Sequence, residues 1–287
     1  MRVAACNNAG MSTHSVKRAR EIFGREKALI GMVHTDALPG TPFSKRSVRD
    51  IAQRAAGEAE MLAAEGLDAL LIENMHDRPY LKGNAGPEIV AAMTRIGLEV
   101  RSAVGEKMRL GVQILAAANA QSLAVALAIE ARFVRAEGFC FAAVADEGLI
   151  ADAEAGPLLR YRRNIGAEGI AILADIDKKH SAHAITADID LTMMAETAEF
   201  FGADGVIVTG AATGKPTSTE DLTTARRACD LPVIVGSGAK PETLGALWGC
   251  ADAIIIGSWY KRGGVWDAPA DRGRVKALMK AAEAARR

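Results

Sequence analysis

Eight short apolar runs recur along the chain, and each is followed by a segment with helical spacing. The first four are Ala28–His34, Ala69–Asn74, Arg109–Leu115 and Arg132–Gly138. The second four are Gly169–Ile176, Gly205–Gly210, Pro232–Gly238 and Ala253–Trp259. Most are continuously apolar rather than alternating, as expected of strands covered on both faces. Between the runs, Pro87, Pro157 and Pro241 stand where a first helical turn would begin, and Ser218-Thr219-Glu220-Asp221 reads as a capped start. Leu191, Met194, Ala195, Ala198 and Phe201 share one face at helical spacing, which predicts a core-facing helix before the sixth strand.

The joins from helix to strand repeat a small signature. Gly66-Leu67-Asp68-Ala69-Leu70 is echoed by Gly166-Ala167-Glu168-Gly169-Ile170, by Gly202-Ala203-Asp204-Gly205-Val206 and, more weakly, by Cys250-Ala251-Asp252-Ala253-Ile254. Glycine accepts the left-handed conformation that ends a helix, and the acid and small residue lead into the next buried strand. Regular alternation of strand and helix requires parallel strands with right-handed crossovers. Eight repeats with no break between Lys27 and Arg274 predict closure into a (β/α)8 TIM barrel spanning residues 25–287. No GxGxxG turn follows the first strand, which argues against an open dinucleotide-binding sheet.

Composition narrows the class. The 287 residues carry 35 basic and 35 acidic side chains, a balance that argues against nucleic acid or an anionic membrane as partner. Aromatics are only 5%, so small and branched aliphatics must fill the core. Cys6, Cys140, Cys229 and Cys250 are scattered without metal-ligand spacing and read as reduced thiols of a cytoplasmic protein. Residues 1–24 read as a loose leader without a signal-peptide core, with Met11 a second candidate start. The uncharged stretch Leu110–Ile129 divides into a strand and a helix and is broken by Gln113, Asn119, Gln121 and Ser122, so no membrane span is expected. Arg272 to Arg287 reads as the final helix, its basic end suiting the dipole.

In this architecture chemistry sits at the carboxyl ends of the strands. The runs bring His34, Glu73-Asn74, Gln113, Arg135 with Glu137, and Asp175 with Asp177 to that end. Gly236-Ser237-Gly238 after the seventh strand and Gly257-Ser258 after the eighth expose backbone amides before helical turns, a phosphate seat to which the Gly210 loop with Thr213 can add. Acid–base candidates are Glu73, Asp175, His34, Asp177, Lys179, His180 and His183. Two carboxylates at neighbouring strand ends can divide acid and base roles, or with a histidine they can hold a divalent metal; the sequence leaves both open and requires no cofactor.

Several of these residues carry a family resemblance. Gly31-Met32-Val33-His34 with Leu38-Pro39-Gly40-Thr41-Pro42 resembles the opening motif of the BtpA family, which includes the SgcQ-like proteins. Glu73-Asn74 with Asp77-Arg78-Pro79-Tyr80, Asp146-Glu147-Gly148-Leu149-Ile150, Arg160-Tyr161-Arg162, Lys179-His180 after Asp175, and Gly236-Ser237-Gly238 are similar to its later motifs, so the likeness runs from Phe23 onward. It implies a barrel of the phosphate-binding type and adds Asp77 and Asp146 to the candidate ligand contacts. The family's name comes from a cyanobacterial factor for accumulation of photosystem I. Other members belong to sugar-related operons and are treated as enzymes, nucleosidases among them. Met75-His76 and Glu147 depart from the family pattern, and an added charge in a pocket loop alters ligand choice.

These readings converge on an enzyme (isomerase, lyase or nucleosidase-like) acting on a phosphorylated sugar or ribosyl compound at the carboxyl rim. The expected partners are that ligand and further copies of the chain as a homo-oligomer. The alternatives are a non-catalytic factor for assembly or stability, and a sugar-phosphate sensor.

Overall fold

The computed structural model describes residues 12–177, 181–182, 184–210 and 217–287. Eight parallel strands close a barrel: β1 (Ala28–His34), β2 (Ala69–Glu73), β3 (Arg109–Gln113), β4 (Phe133–Ala136), β7 (Ala171–Asp177), β9 (Gly205–Val208), β10 (Val233–Val235) and β11 (Ala253–Ile256). Each lies beside its successor, and β1 pairs with β11 from Ala28↔Ala253 to Gly31↔Ile256 to close the ring. The (β/α)8 barrel expected from the repeating runs is the fold observed.

The outer helices are α2 (Val48–Ala64), α3 (Pro87–Val104), α4 (Asn119–Ala128), α5 (Ala155–Asn164), α6 (Leu191–Phe200), α7 (Thr219–Ala228), α8 (Leu244–Trp248) and α9 (Arg272–Arg286). Pro87 opens α3, and the Ser218 hydroxyl accepts from the amides of Glu220 and Asp221 to cap α7, as the sequence signals. One apolar layer lies between strands and helices. A second fills the barrel interior, where Phe133 takes space that only a glycine opposite can leave: a Cβ on Gly111 would sit 2.1 Å from its ring.

The acids of the repeated joins have a common task. Asp68 accepts from the Leu29 amide at 2.7 Å, Asp204 from Ile172 at 2.9 Å and Asp252 from Val233 at 2.8 Å. Each carboxylate therefore satisfies an amide in the first two residues of a neighbouring strand at the amino pole and pairs with an arginine there: Asp68 with Arg286, Asp204 with Arg162, Asp252 with Arg226. Glu168, in the join that begins at Gly166, instead pairs with Arg163.

Besides Phe201, which lies exposed at the end of α6 rather than on its core face, two expectations need correction. Within the supposed leader, Thr13–Phe23 forms a helix, α1, that closes the amino pole; residues 1–11 lie outside the described part. Its spacing buries Ala19, Ile22 and Phe23 in the interior layer, with Phe23 edge-on to Phe133 at 5.4 Å. Ser15 ties it down, donating to Asp252 at 2.9 Å and accepting from Arg226 at 2.6 Å. Second, Cys140 and Cys229 are free thiols, but Cys250 is disulfide-bonded rather than reduced. At the opposite pole, β5 (Ala143–Ala145), β6 (Gly148–Ile150) and β8 (Ser181–Ala182) form a small antiparallel sheet from the loops after β4 and β7.

Candidate functional site

At the carboxyl ends of β1, β2, β4, β10 and β11 a cavity of about 590 Å³ opens. His34 and Glu73 end adjacent strands in register, which puts their side chains side by side: His34 Nε2 lies 3.8 Å from Glu73 Oε1, and each side chain is 7% exposed. Gly236, Ser237 and Gly238 from the turn after β10, and Gly257 and Ser258 after β11, line the same cavity. Gly238 has a φ of +77°, a left-handed turn suited to glycine, and leads into the helical turn Pro241–Thr243. Gly257 packs flat on β1, since a Cβ there would lie 3.1 Å from the Met32 side chain. Lys240 and Arg274 bring positive charge to this side, and the Arg274 guanidinium stacks on Trp259 at 4.5 Å.

Arg135 reaches the cavity from β4 and grips Asp175 of β7 through two bonds, Nε to Oδ2 at 2.8 Å and a terminal nitrogen to Oδ1 at 3.0 Å. Burial opposes the Arg135 charge, but Asp175, with Glu73 and Glu137 nearby, more than offsets this and raises its pKa. Asp175 itself lines a small neighbouring cavity of about 40 Å³.

Other candidates hold loops. Asn74 donates to Asp77 at 2.8 Å and accepts from the Leu115 amide at 2.7 Å, while Asp77 accepts from the Leu38 amide at 2.7 Å. Burial raises the Asp77 pKa, and these two donated bonds work against the rise. Glu137 accepts from the Ala117 amide at 2.8 Å. Gln113 is buried with its side-chain carbonyl unpartnered, Gly210 is buried at the end of β9, and Asp146 is exposed at the β5–β6 turn. Lys179, His180, His183 and Thr213 lie outside the described residues, as does the side chain of Asp177. Among the described residues no three His, Cys, Asp or Glu side chains gather as a metal site, and no helix is long and apolar enough to cross a membrane.

Sequence reasoning missed Lys261. It follows the helical turn Ser258–Tyr260, is buried, and places Nζ 3.2 Å from His34 Nδ1 and 3.9 Å from Glu58 Oε1. Burial lowers its pKa against the pull of Glu58 and Glu73, and burial likewise raises that of Glu58 against Lys261. The Tyr260 hydroxyl, donating to the Met32 carbonyl, anchors this loop to β1. Only the adjacency to Gly257-Ser258 points to Lys261 in the sequence.

A family model described as the BtpA family matches residues 25–284. An uncharacterized mitochondrial protein of Caenorhabditis elegans is 44% identical over 255 residues, covering 88% of this chain and 91% of that protein. The photosystem I biogenesis protein BtpA of Synechocystis is 35% identical over 262 residues, covering 91% and 90%. Among solved structures, thiamine phosphate pyrophosphorylase from Pyrococcus furiosus superposes with a TM-score of 0.54 at 17% identity, covering 93% of this chain and 98% of that one. Orotidine 5′-monophosphate decarboxylase from Methanocaldococcus jannaschii superposes with a TM-score of 0.56 at 13% identity, covering 89% and 98%. At such identities the two enzymes speak for the barrel alone.

Proposed function

Because this chain belongs to the BtpA family, we propose that it is an enzyme acting on a phosphorylated sugar or ribosyl compound at the carboxyl rim of its barrel. One observation carries the reading: the buried His34–Glu73 pair and the glycine turns after β10 and β11 share one cavity of about 590 Å³. The phosphate is held by Ser237, Gly238, Gly257 and Ser258 with help from Lys240 and Arg274, which fixes the reacting carbon near Glu73, while Gly236, whose amide is taken by the Val208 carbonyl, shapes the turn that carries them. Binding energy from that remote group then orients the part of the ligand where Glu73 and His34 move protons.

The test is a melting-temperature screen with inorganic phosphate, ribose 5-phosphate and a nucleoside 5′-monophosphate. A ligand at a hundred times its Kd adds about 2.7 kcal/mol, worth about 5–10 °C in a domain of this size. For a compound that is turned over, Glu73→Gln abolishes turnover and leaves the shift caused by inorganic phosphate. Loss of both, or of neither, overturns the assigned role. A second reading, a factor for assembly, is supported by the name of the Synechocystis relative and by Phe200 and Phe201, exposed side by side at the end of α6. It expects no shift with any phosphorylated compound.

A further inference from the structure

His34 touches two spaces. One is the cavity at the rim; the other, about 320 Å³, lies behind β1 and is lined by Asp36, Glu58, His76, Lys261 and Asp267 among others. Between them runs a buried line of alternating character: Glu73 Oε1, 3.8 Å to His34 Nε2; His34 Nδ1, 3.2 Å to Lys261 Nζ; Lys261 Nζ, 3.9 Å to Glu58 Oε1. The lysine contact is too specific to be incidental. Lys261 is 2% exposed and ends a helical turn locked to β1 by Tyr260, and its burial is tolerated because Glu58 and Glu73 face it.

An ammonium group has three donors and no acceptor, so the ring nitrogen it touches must present a lone pair. A neutral imidazole with a lone pair on Nδ1 carries its proton on Nε2, the nitrogen facing Glu73. The same ammonium charge, at hydrogen-bond distance, disfavours a second proton on the ring.

We propose that Lys261 is a positioning residue: through Nδ1 it holds His34 as the neutral imidazole with its proton on Nε2, so that His34 donates to the ligand and Glu73 is the proton acceptor. The division of labour rests on the acid–base reading of the rim given above, whereas the tautomer does not. Among the described residues Glu73 from β2 and Lys261 from the segment after β11 meet the ring, and Asp36, Glu58, His76 and Asp267 line the space on its Lys261 side. The carboxylates favour a charged ring and Lys261 opposes it, so removing Lys261 makes a charged ring more favourable.

The experiment is nitrogen-15 spectroscopy of the full chain with labelled histidine, which distinguishes the two tautomers and the imidazolium. His34→Asn assigns the signal among the five histidines. In the parent chain His34 is expected to carry its proton on Nε2. Lys261→Met moves its midpoint upward by at least about one unit, the scale of one nearby opposite charge left unopposed. Lys261→Arg, which keeps both charge and donors, restores the parent form, and it decides the matter should Lys261→Met fail to fold. A parent ring protonated on Nδ1, an unmoved midpoint in Lys261→Met, or a parent form lost in Lys261→Arg each overturns the proposal. A correct tautomer in a chain that binds no phosphorylated compound leaves this inference standing and removes the function.

Discussion

Gly236→Ala separates the packing of the phosphate seat from its chemistry. Gly236 follows β10, and its amide donates to the Val208 carbonyl at 2.8 Å. A Cβ added there would lie 2.3 Å from Thr209 Oγ1 and 2.8 Å from Ile207 Cγ2. Contacts this short do not persist, and Thr209 and Ile207 are 1% and 0% exposed, so neither can swing into solvent. The Gly236 φ lies outside the left-handed region, so alanine meets no backbone penalty and the cost is overpacking alone, about 1–3 kcal/mol. For a domain of this length that lowers the melting temperature by about 2–12 °C, read by circular dichroism. The shove falls where β9 meets the seat, so stabilisation by inorganic phosphate should also vanish. Thr209→Ala in the same chain removes the worse contact and, since the Thr209 hydroxyl has no partner, breaks no hydrogen bond. The double variant should recover part of both losses. A Gly236→Ala protein that melts with the parent and keeps its phosphate response would refute the reasoning.

Two further outcomes follow from buried groups away from the rim. Arg226→Met strips Asp252 of its guanidinium while the carboxylate stays 1% exposed, which should cost about 3–5 kcal/mol; Arg226→Met with Asp252→Asn should cost less in chemical denaturation, and equal costs would contradict the ion-pair account. Burial pushes the Cys229 thiol up to about 11, against about 8.5 in an unfolded chain. Its contribution to stability is therefore complete below about pH 8.5 and lost as pH rises toward the folded value. Maleimide labelling at about pH 8, followed by peptide mass analysis, should modify Cys229 at least a hundredfold more slowly in the folded chain than in urea, because only the thiolate reacts; equal rates would show that the thiol is not shielded.

The barrel was legible because its signal is local and repeated eight times. Continuous apolar runs follow from strands buried on both faces, and the acids of three joins follow from a strand-entry amide that needs an acceptor. Polar residues ending the runs could be named for the same reason, since a strand's last residue points to the rim whatever its neighbours are. What they do there is another matter. Glu137 and Asp77 end as anchors for loop amides and Glu73 ends beside His34, yet all three are acids in similar local company. The helix α1 was missed because its apolar face is short and its partner, Phe133, is more than a hundred residues away. Lys261 is the sharpest case: it sits 227 positions from the histidine it contacts, in the polar stretch Lys261-Arg262-Gly263-Gly264 that reads as a solvated loop. Ring closure between β1 and β11 is what brings the two ends together. The chemistry of His34 is thus set by the last barrel strand's loop rather than by the motif around it, and a chain keeping Gly31-Met32-Val33-His34 but lacking a cation at position 261 should have the same fold and a differently protonated histidine.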